Sequence, residues 1–365
     1  MPHTISILIH LLASALSGVK PKAKLTCTKW GDVMTLAIKQ QVVAIALDGY
    51  QQLHKKEECV GSLDKSLLMK WFSYSVSHES QYAKQLSSSK KLSELYYANG
   101  IMTYVLKGFS IAKCYPIPSH RYSCDLDCFI KPVKTECDAY EKGNSLMSAK
   151  GINVDNSYYK HSEFQFENVH VENHRFCCSV KRGKRTKELE LYLQGLLNSE
   201  KPYYIEDSKL ALPPLLFQAL FLVEHANGHF LYEKMNLKNV CDWAMFRKKH
   251  REQMSWQEFN DACKRFGLDS FVECLNHLSD YILGKIEFEA LSKLEVRVLE
   301  DTLKDIASQK TKSKQRIGKA LDVLKSSWKF KYFSKNSMMK ELYHSIFAYL
   351  FENEVKLSNL TSKNN

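Results

Sequence analysis

An α+β fold, with a mixed sheet held between two helical regions, is the class this sequence predicts, and three observations predict it. Apolar residues recur at helical spacing before residue 98, the period shortens to that of strands between about 100 and 195, and helical spacing returns from Leu212 onward. A chain of 365 residues with 44% hydrophobic and 25% charged side chains can bury a sizeable core, and 14 Gly and 8 Pro are too few for a collagen-like or Pro-rich disordered chain. The expected division is a helical arm over 1–98, an α+β core over 99–210, a helical C-terminal region over 211–358 and a frayed tail over 359–365.

Ile5, Leu8, Ile9, Leu12 and Leu16 share one helical face, with Thr4 placed to cap the start and Gly18 to end the helix. No Lys or Arg precedes this run, as a secretion signal requires, and it is too short for the ~20 residues that span a bilayer. A docked helix and a cytoplasmic protein with no membrane span are therefore expected. Trp30 to Leu47 keeps helical spacing, and Leu67 to Leu95 predicts a long amphipathic helix with Ser and Lys on its polar side.

Ile101 to Leu106 reads as a strand that stops at Gly108, and Asp125 to Ile130 as a second that ends at Pro132. Glu136 to Lys150 predicts a helix ending at Gly151. Phe164 to Val180 and Leu189 to Leu193 read as strands joined by the basic turn Lys181–Arg185. Helices are expected over 213–229, 239–249, 255–266, 270–283 and 291–307, followed by a Lys- and Arg-dominated stretch over 304–340.

The eleven Cys are scattered, odd in number and free of any Cys-x-x-Cys pair, so reduced thiols are expected and a structural zinc site is not; Cys177 and Cys178 read as neighbouring strand residues. The formal net charge is +12. It points to an anionic partner such as nucleotide, nucleic acid or membrane surface, or to a solvated Lys-rich surface, and does not choose between them.

The chemistry concentrates in Leu106-Lys107-Gly108-Phe109-Ser110 and in Tyr115-Pro-x-Pro-x-x-Arg121-x-x-x-Asp125-x-Asp127. Side chains alternate along a strand, so Asp125 and Asp127 share one face while Cys124, Leu126, Cys128 and Ile130 turn to the core. Two carboxylates held side by side repel unless a cation lies between them. Mg²⁺ binds through one or two carboxylates plus substrate phosphates, and a pair of ions can clamp the attacking and leaving oxygens of a phosphoryl displacement. A strand ending in Lys107-Gly108 lets backbone N–H groups approach a phosphate. Ser110 adds a hydroxyl, and Arg121 is placed to pair with a triphosphate. A third carboxylate is expected from an adjacent strand: Glu172 in Val169-His-Val-Glu-Asn-His174, where it could ligate a metal and take the acceptor's proton, with His174 shaping the acceptor side.

This signature resembles that of an uncharacterised bacterial nucleotidyltransferase family often found near surface-polysaccharide genes, within the polymerase-beta-type superfamily. The resemblance extends to the helical segments Leu222–Phe230, with His225 and His229 one turn apart, and Leu237–Trp243, with Asp242. It implies a nucleotidyltransferase-type mixed sheet, two Mg²⁺ ions on Asp125, Asp127 and Glu172, and a nucleoside triphosphate such as ATP held by Lys107, Gly108, Ser110 and Arg121. It further implies transfer of a nucleoside monophosphate to an acceptor hydroxyl or phosphate, with His174, His225, His229 and Asp242 on the acceptor side. The sequence departs from the superfamily in two places: Lys107-Gly108-Phe109-Ser110 stands where Gly-Ser is usual, and the third acid is Glu rather than Asp. A small-molecule acceptor is favoured over tRNA or protein, the targets of toxin-type members. A non-catalytic RNA-binding use of the same scaffold is the remaining alternative. His225 and His229 lack a third ligand for zinc in sequence. Trp328, Phe330, Tyr332 and Phe333 read as a terminal helix packed on the domain.

Overall fold

The computed structural model describes residues 3–303 except 23, 27–28, 61–62, 135–136, 200 and 206, together with 327–334 and 339–340. The tail over 359–365 and, within the basic 304–340 stretch, residues 304–326 and 335–338 lie outside these residues.

A six-stranded mixed sheet carries the site, in the order β5-β6-β4-β3-β8-β7. Its strands are β3 (Ile101–Val105), β4 (Asp125–Pro132), β5 (His161–Phe166), β6 (Val169–His174), β7 (Tyr203–Tyr204) and β8 (Leu210–Leu212). β4 runs antiparallel to β3 and parallel to β6, and β5 is antiparallel to β6. The β5–β6 hairpin turns at Glu167 and Asn168, both with positive φ, the conformation that matches two-residue hairpin loops to strand twist. Two short strands near the N-terminus, β1 (Leu25–Thr26) and β2 (Cys59–Val60), pair in parallel apart from this sheet.

Each face of the sheet has its own cover. Leu126, Cys128, Ile130, Val169 and Val171 are buried against α4 (Lys65–Ala98) and α6 (Ala139–Ala149) in one cluster. Gly143 of α6 lies so close to Ile130 that a Cβ there would collide with its methyl group. On the other face Tyr104, Phe129 and Ala211 join a continuous core with the helical regions on both sides. These comprise α1 (His3–Ser17), α2 (Trp30–Lys39) and α3 (Val43–Lys55) before the sheet, and α7 (Lys184–Ser199), α8 (Leu215–Tyr232), α9 (Leu237–Lys249), α10 (Trp256–Phe266), α11 (Asp269–Ile282) and α12 (Lys293–Leu303) after it. A Cβ at Gly49 would overlap the Leu11 carbonyl, so α3 approaches α1 there as only glycine allows.

Several local expectations are corrected. Leu189–Leu193 is helix, not strand: Leu189, Leu193 and Leu197 are buried at i, i+4 and i+8 on α7, and that period outweighs the local alternation. Cys177 and Cys178 lie in the bend after β6 rather than in a strand. Cys124 is exposed and precedes β4, so only Leu126, Cys128 and Ile130 form the buried back of that strand. Thr4 lies inside α1 rather than at its cap, and α1 is buried over most of its circumference, including Ser14. Serines 75, 88, 89 and 93 face inward on α4, where small side chains permit close approach to the sheet; Ser89 and Ser93 satisfy their hydroxyls on Gln85 and Lys90 carbonyls. The short helix Ser327–Phe333 packs through Trp328, Phe330 and Phe333, with Phe230 5.4 Å from Phe333 and 5.9 Å from Trp328 between ring centroids, whereas Tyr332 is exposed and does not pack as expected. Among the described residues no helix is long and apolar enough to cross a membrane.

Candidate active site

Strand register places the acids. Asp127 stands opposite Glu172 across the parallel β4–β6 pair, and Glu172 stands opposite Glu163 across β6–β5. Because these positions share parity, Asp125, Asp127 and Glu172 project from the face away from α4 and α6. Their ligand atoms lie within 4.8 Å of one another. They line a cavity of about 840 Å³ that the sheet shares with α8, α9 and the loop after β6. Lys107, Gly108, Arg121, His174, His225, His229 and Asp242 also line it; Ser110 does not, being buried in the first turn of the short helix α5 (Phe109–Ala112).

Asp127 is the most confined of the acids, 1% exposed. Its Oδ1 meets Lys107 Nζ at 3.2 Å and His174 Nε2 at 3.2 Å, whereas its Oδ2 is buried without a hydrogen-bond partner. Burial alone would favour the neutral acid, but Lys107 and His174 hold the Asp127 carboxyl below the ordinary carboxylate range. Asp125 moves the other way, raised by burial and then by the Asp127 charge. Two neighbouring carboxylates whose pKa values are driven apart are a site short of positive charge. An orphaned buried carboxylate oxygen at its centre fits a divalent cation, so the donor set suits the hard metal expected there.

Lys107 is the nearest cation. Burial works against its ammonium, yet Asp127, Asp125 and Glu172 outweigh burial and raise its pKa. It donates to His225 Nε2 at 3.0 Å, and burial and then the Lys107 charge hold His225 neutral, well below its ordinary pKa. Gly108 follows at φ 75°, ψ −121°, a conformation that glycine supplies, and starts α5. The His225 and His229 rings lie tilted against each other, centroids 4.4 Å apart, and His229 Nδ1 is bound to Glu233 at 2.8 Å.

Arg121 and Asp242 form a closed unit. The Nε and Nη2 groups of Arg121 donate to the two Asp242 oxygens at 2.8 and 2.7 Å, the Tyr115 hydroxyl donates to Oδ1 at 2.7 Å, and Nη1 donates to the Tyr122 carbonyl at 3.2 Å. The Arg121 fork is thus already engaged, and it ties the loop before β4 to α9.

Among the cavity-wall residues that sequence reasoning did not single out, two bear on the chemistry, Lys238 and His161. Lys238, in the first turn of α9, faces the same space, and no carboxylate pairs with it among the described residues. Burial and then the neighbouring Arg121 bring its pKa down to about 8. His161 on β5 sits across from His174, and the signal was present as His161-x-Glu163, the period-two pattern that mirrors Glu172-x-His174.

A mixed sheet presenting paired aspartates beside a glycine turn, with a third acid on the adjoining strand, is the ground plan of a nucleotidyltransferase. The chain belongs to the family described as uncharacterised nucleotidyltransferase, whose model matches residues 26–284, and is accordingly a transferase of phosphorus-containing groups. That span includes the helices α2 to α4 as well as the sheet and α8 to α11. No curated relative and no solved structure matches the chain significantly.

Proposed function

We propose that the protein transfers a nucleoside monophosphate from a nucleoside triphosphate to a hydroxyl or phosphate oxygen of a small acceptor, releasing pyrophosphate, with Mg²⁺ held by Asp125, Asp127 and Glu172. The observation that carries this reading is the buried, unpartnered Oδ2 of Asp127 within a carboxylate trio that opens on a large cavity beside Lys107. Bound there, divalent cations would neutralise the phosphate oxygens and stabilise charge on the departing pyrophosphate.

The protein's own groups have separable tasks in this reading. Lys107 supplies a point charge to the triphosphate, and the Gly108 turn lets backbone N–H groups come close where a side chain would intervene. Ser110 takes no part in this reading, since its buried hydroxyl does not reach the cavity. Arg121 acts by fixing Asp242 and α9, which carries Lys238 toward the leaving phosphates. The acceptor oxygen attacks the α-phosphorus, the bond from that phosphorus to the bridging oxygen breaks, and the acceptor's proton passes to Glu172, which retains access to the cavity at 21% exposure. His174 orients Glu172 from 3.4 Å, while His225 and His229 border the acceptor.

The test is pyrophosphate release from each of the four nucleoside triphosphates with Mg²⁺, followed by tracing labelled nucleotide into sugar phosphates, total tRNA or protein. Release by the wild type and its loss in Asp125→Asn support the reading. Undiminished release by Asp125→Asn refutes it, and label in tRNA or protein replaces the small acceptor.

A further inference from the structure

Next to the acidic trio, the register sets a second group of ligand-type side chains: His161 stands opposite His174 across β5 and β6. Hydrogen bonds fix what their ring nitrogens can do. His161 Nε2 lies 3.1 Å from Glu163 Oε1, and His174 Nδ1 lies 3.2 Å from the Phe176 carbonyl oxygen. Carboxylate and carbonyl oxygens only accept, so each of these nitrogens carries hydrogen and donates.

The opposite nitrogens converge. His161 Nδ1 and His174 Nε2 are each 3.4 Å from the same atom, Glu172 Oε2, and His174 Nε2 is 3.2 Å from Asp127 Oδ1. With Nε2 donating to Glu163, a neutral His161 turns the lone pair of Nδ1 toward a carboxylate oxygen, an arrangement that repels unless a cation lies between, whereas His174 Nε2 hydrogen-bonds to Asp127 Oδ1 and would give up that proton to an ion. His161 Nδ1 is buried and has no hydrogen-bond partner. A histidine whose far nitrogen is tied to a carboxylate or a backbone carbonyl is also how proteins orient metal-binding imidazoles.

Size agrees with chemistry. An ion held tetrahedrally with bonds of ~2.1 Å keeps its ligand atoms ~3.4 Å apart. We propose that His161, His174 and Glu172, whose ligand atoms lie within 4.8 Å of one another, form a second cation site, selective for a divalent transition ion of the zinc or cobalt type. Imidazole nitrogen suits these ions, whereas Mg²⁺ demands oxygen ligands and sheds water reluctantly. The site shares Glu172 with the trio, so a firmly held transition ion would stand beside the Mg²⁺ position. Its placement next to the nucleotide rests on the proposed transfer; its binding does not.

The full chain, stripped with a chelator, is titrated with Co²⁺ while visible absorption is followed. One Co²⁺ per chain is expected, with the intense d–d bands of a four- or five-coordinate site, retained in excess Mg²⁺ and displaced by Zn²⁺. His161→Ala should weaken Co²⁺ binding by about 100-fold and Glu163→Ala, which frees the imidazole, by about tenfold, while Asp125→Asn changes it by less than about threefold. His161 is on the cavity wall, so its variant is the decisive one if His174→Gln fails to fold. Displacement of Co²⁺ by Mg²⁺, or equal Co²⁺ affinity in wild type and a folded His161→Ala, overturns the site and leaves His174 simply protonated. Pyrophosphate release is scored separately: an intact Co²⁺ site without release removes the transfer reading alone.

Discussion

Two charged groups face the same cavity and have opposite electrostatic character. In the Arg121–Asp242–Tyr115 unit both oxygens of the carboxylate are occupied and the guanidinium is bound on three sides. In the Asp125–Asp127–Glu172 trio one oxygen of Asp127 is buried without a partner, and Asp125 is pushed toward its neutral form. Desolvating a charge costs several kcal/mol unless partners compensate. The first group is compensated by the protein alone. The second is left for something the protein binds, so the contrast separates a brace from a site.

That contrast gives the largest expected effect. Asp127→Asn removes the central charge while keeping shape, and transfer should fall on the order of 10³–10⁴-fold, ~4–5.5 kcal/mol of transition-state stabilisation. Mg²⁺ should raise the melting temperature of the wild type and not of this variant, since a ligand stabilises only the state that binds it. Calorimetric melting with and without Mg²⁺ measures this, and a variant still stabilised by Mg²⁺ would remove Asp127 from the metal site.

The brace should respond in the opposite sense. Asp242→Asn leaves Arg121 buried with half its fork unmatched, and breaking such a pair costs ~3–5 kcal/mol of folding stability. Urea denaturation reads the loss, and Mg²⁺ should still stabilise what folds. A loss below about 1 kcal/mol would mean that the unit is not a brace.

How much of this was legible in the chain follows from the range of the forces involved. Asp125, Asp127 and Glu172 could be read because strand alternation and a motif fix which way each side chain points within a few residues. Cys124 was misplaced because alternation says nothing of where a strand begins. Leu189 to Leu193 satisfies both periods over five residues, and only Leu197, a further turn along, decides for the helix. Ser89 and Ser93 of α4 look polar in sequence and are apolar in effect, because their hydroxyls close on their own helix and the small side chains then let the sheet approach. Lys238 and His161 were missed for a different reason. Lys238 reaches the cavity because α9 comes to the β4 side across the 113 residues from Asp125, which no local pattern records, and His161 joins it through the β5–β6 pairing, whose His161-x-Glu163 alternation does not say which cavity it faces.

A smaller effect tests whether the cavity's cations serve a phosphate. Lys238, with no paired carboxylate among the described residues and a pKa brought down to about 8, loses its charge as pH rises through that value. Pyrophosphate affinity should therefore be flat below about pH 7.5 and fall about tenfold per unit above 8, and Lys238→Met should abolish the fall while lowering the plateau. Folding stability has its own sign. A lysine pKa depressed in the folded state means that the unfolded chain binds more protons between pH 8 and 10.5, so this group makes the fold more stable as pH rises through that window. Titration calorimetry at several pH values separates the two trends; identical profiles in wild type and Lys238→Met would free Lys238 of any phosphate role.

The smallest effect concerns the Gly108 turn, proposed to bring backbone to the substrate. At Gly108 a Cβ would meet Ser123 Oγ at 3.5 Å and nothing nearer, so space does not forbid alanine. The backbone does: φ of 75° with ψ of −121° is a conformation that a residue with a Cβ adopts only at a cost of ~1–3 kcal/mol. Gly108→Ala can relax by moving the Lys107–Ser110 turn or can hold the turn and lose stability. If the turn moves, urea stability stays within ~0.5 kcal/mol of wild type and the KM for nucleoside triphosphate rises. If it holds, stability falls and KM does not change. The closed Arg121–Asp242 unit fixes the far end of the segment that runs from this turn to β4, which favours the second outcome: loss of stability at constant KM is expected, and a raised KM at full stability would show that the brace does not reach the turn.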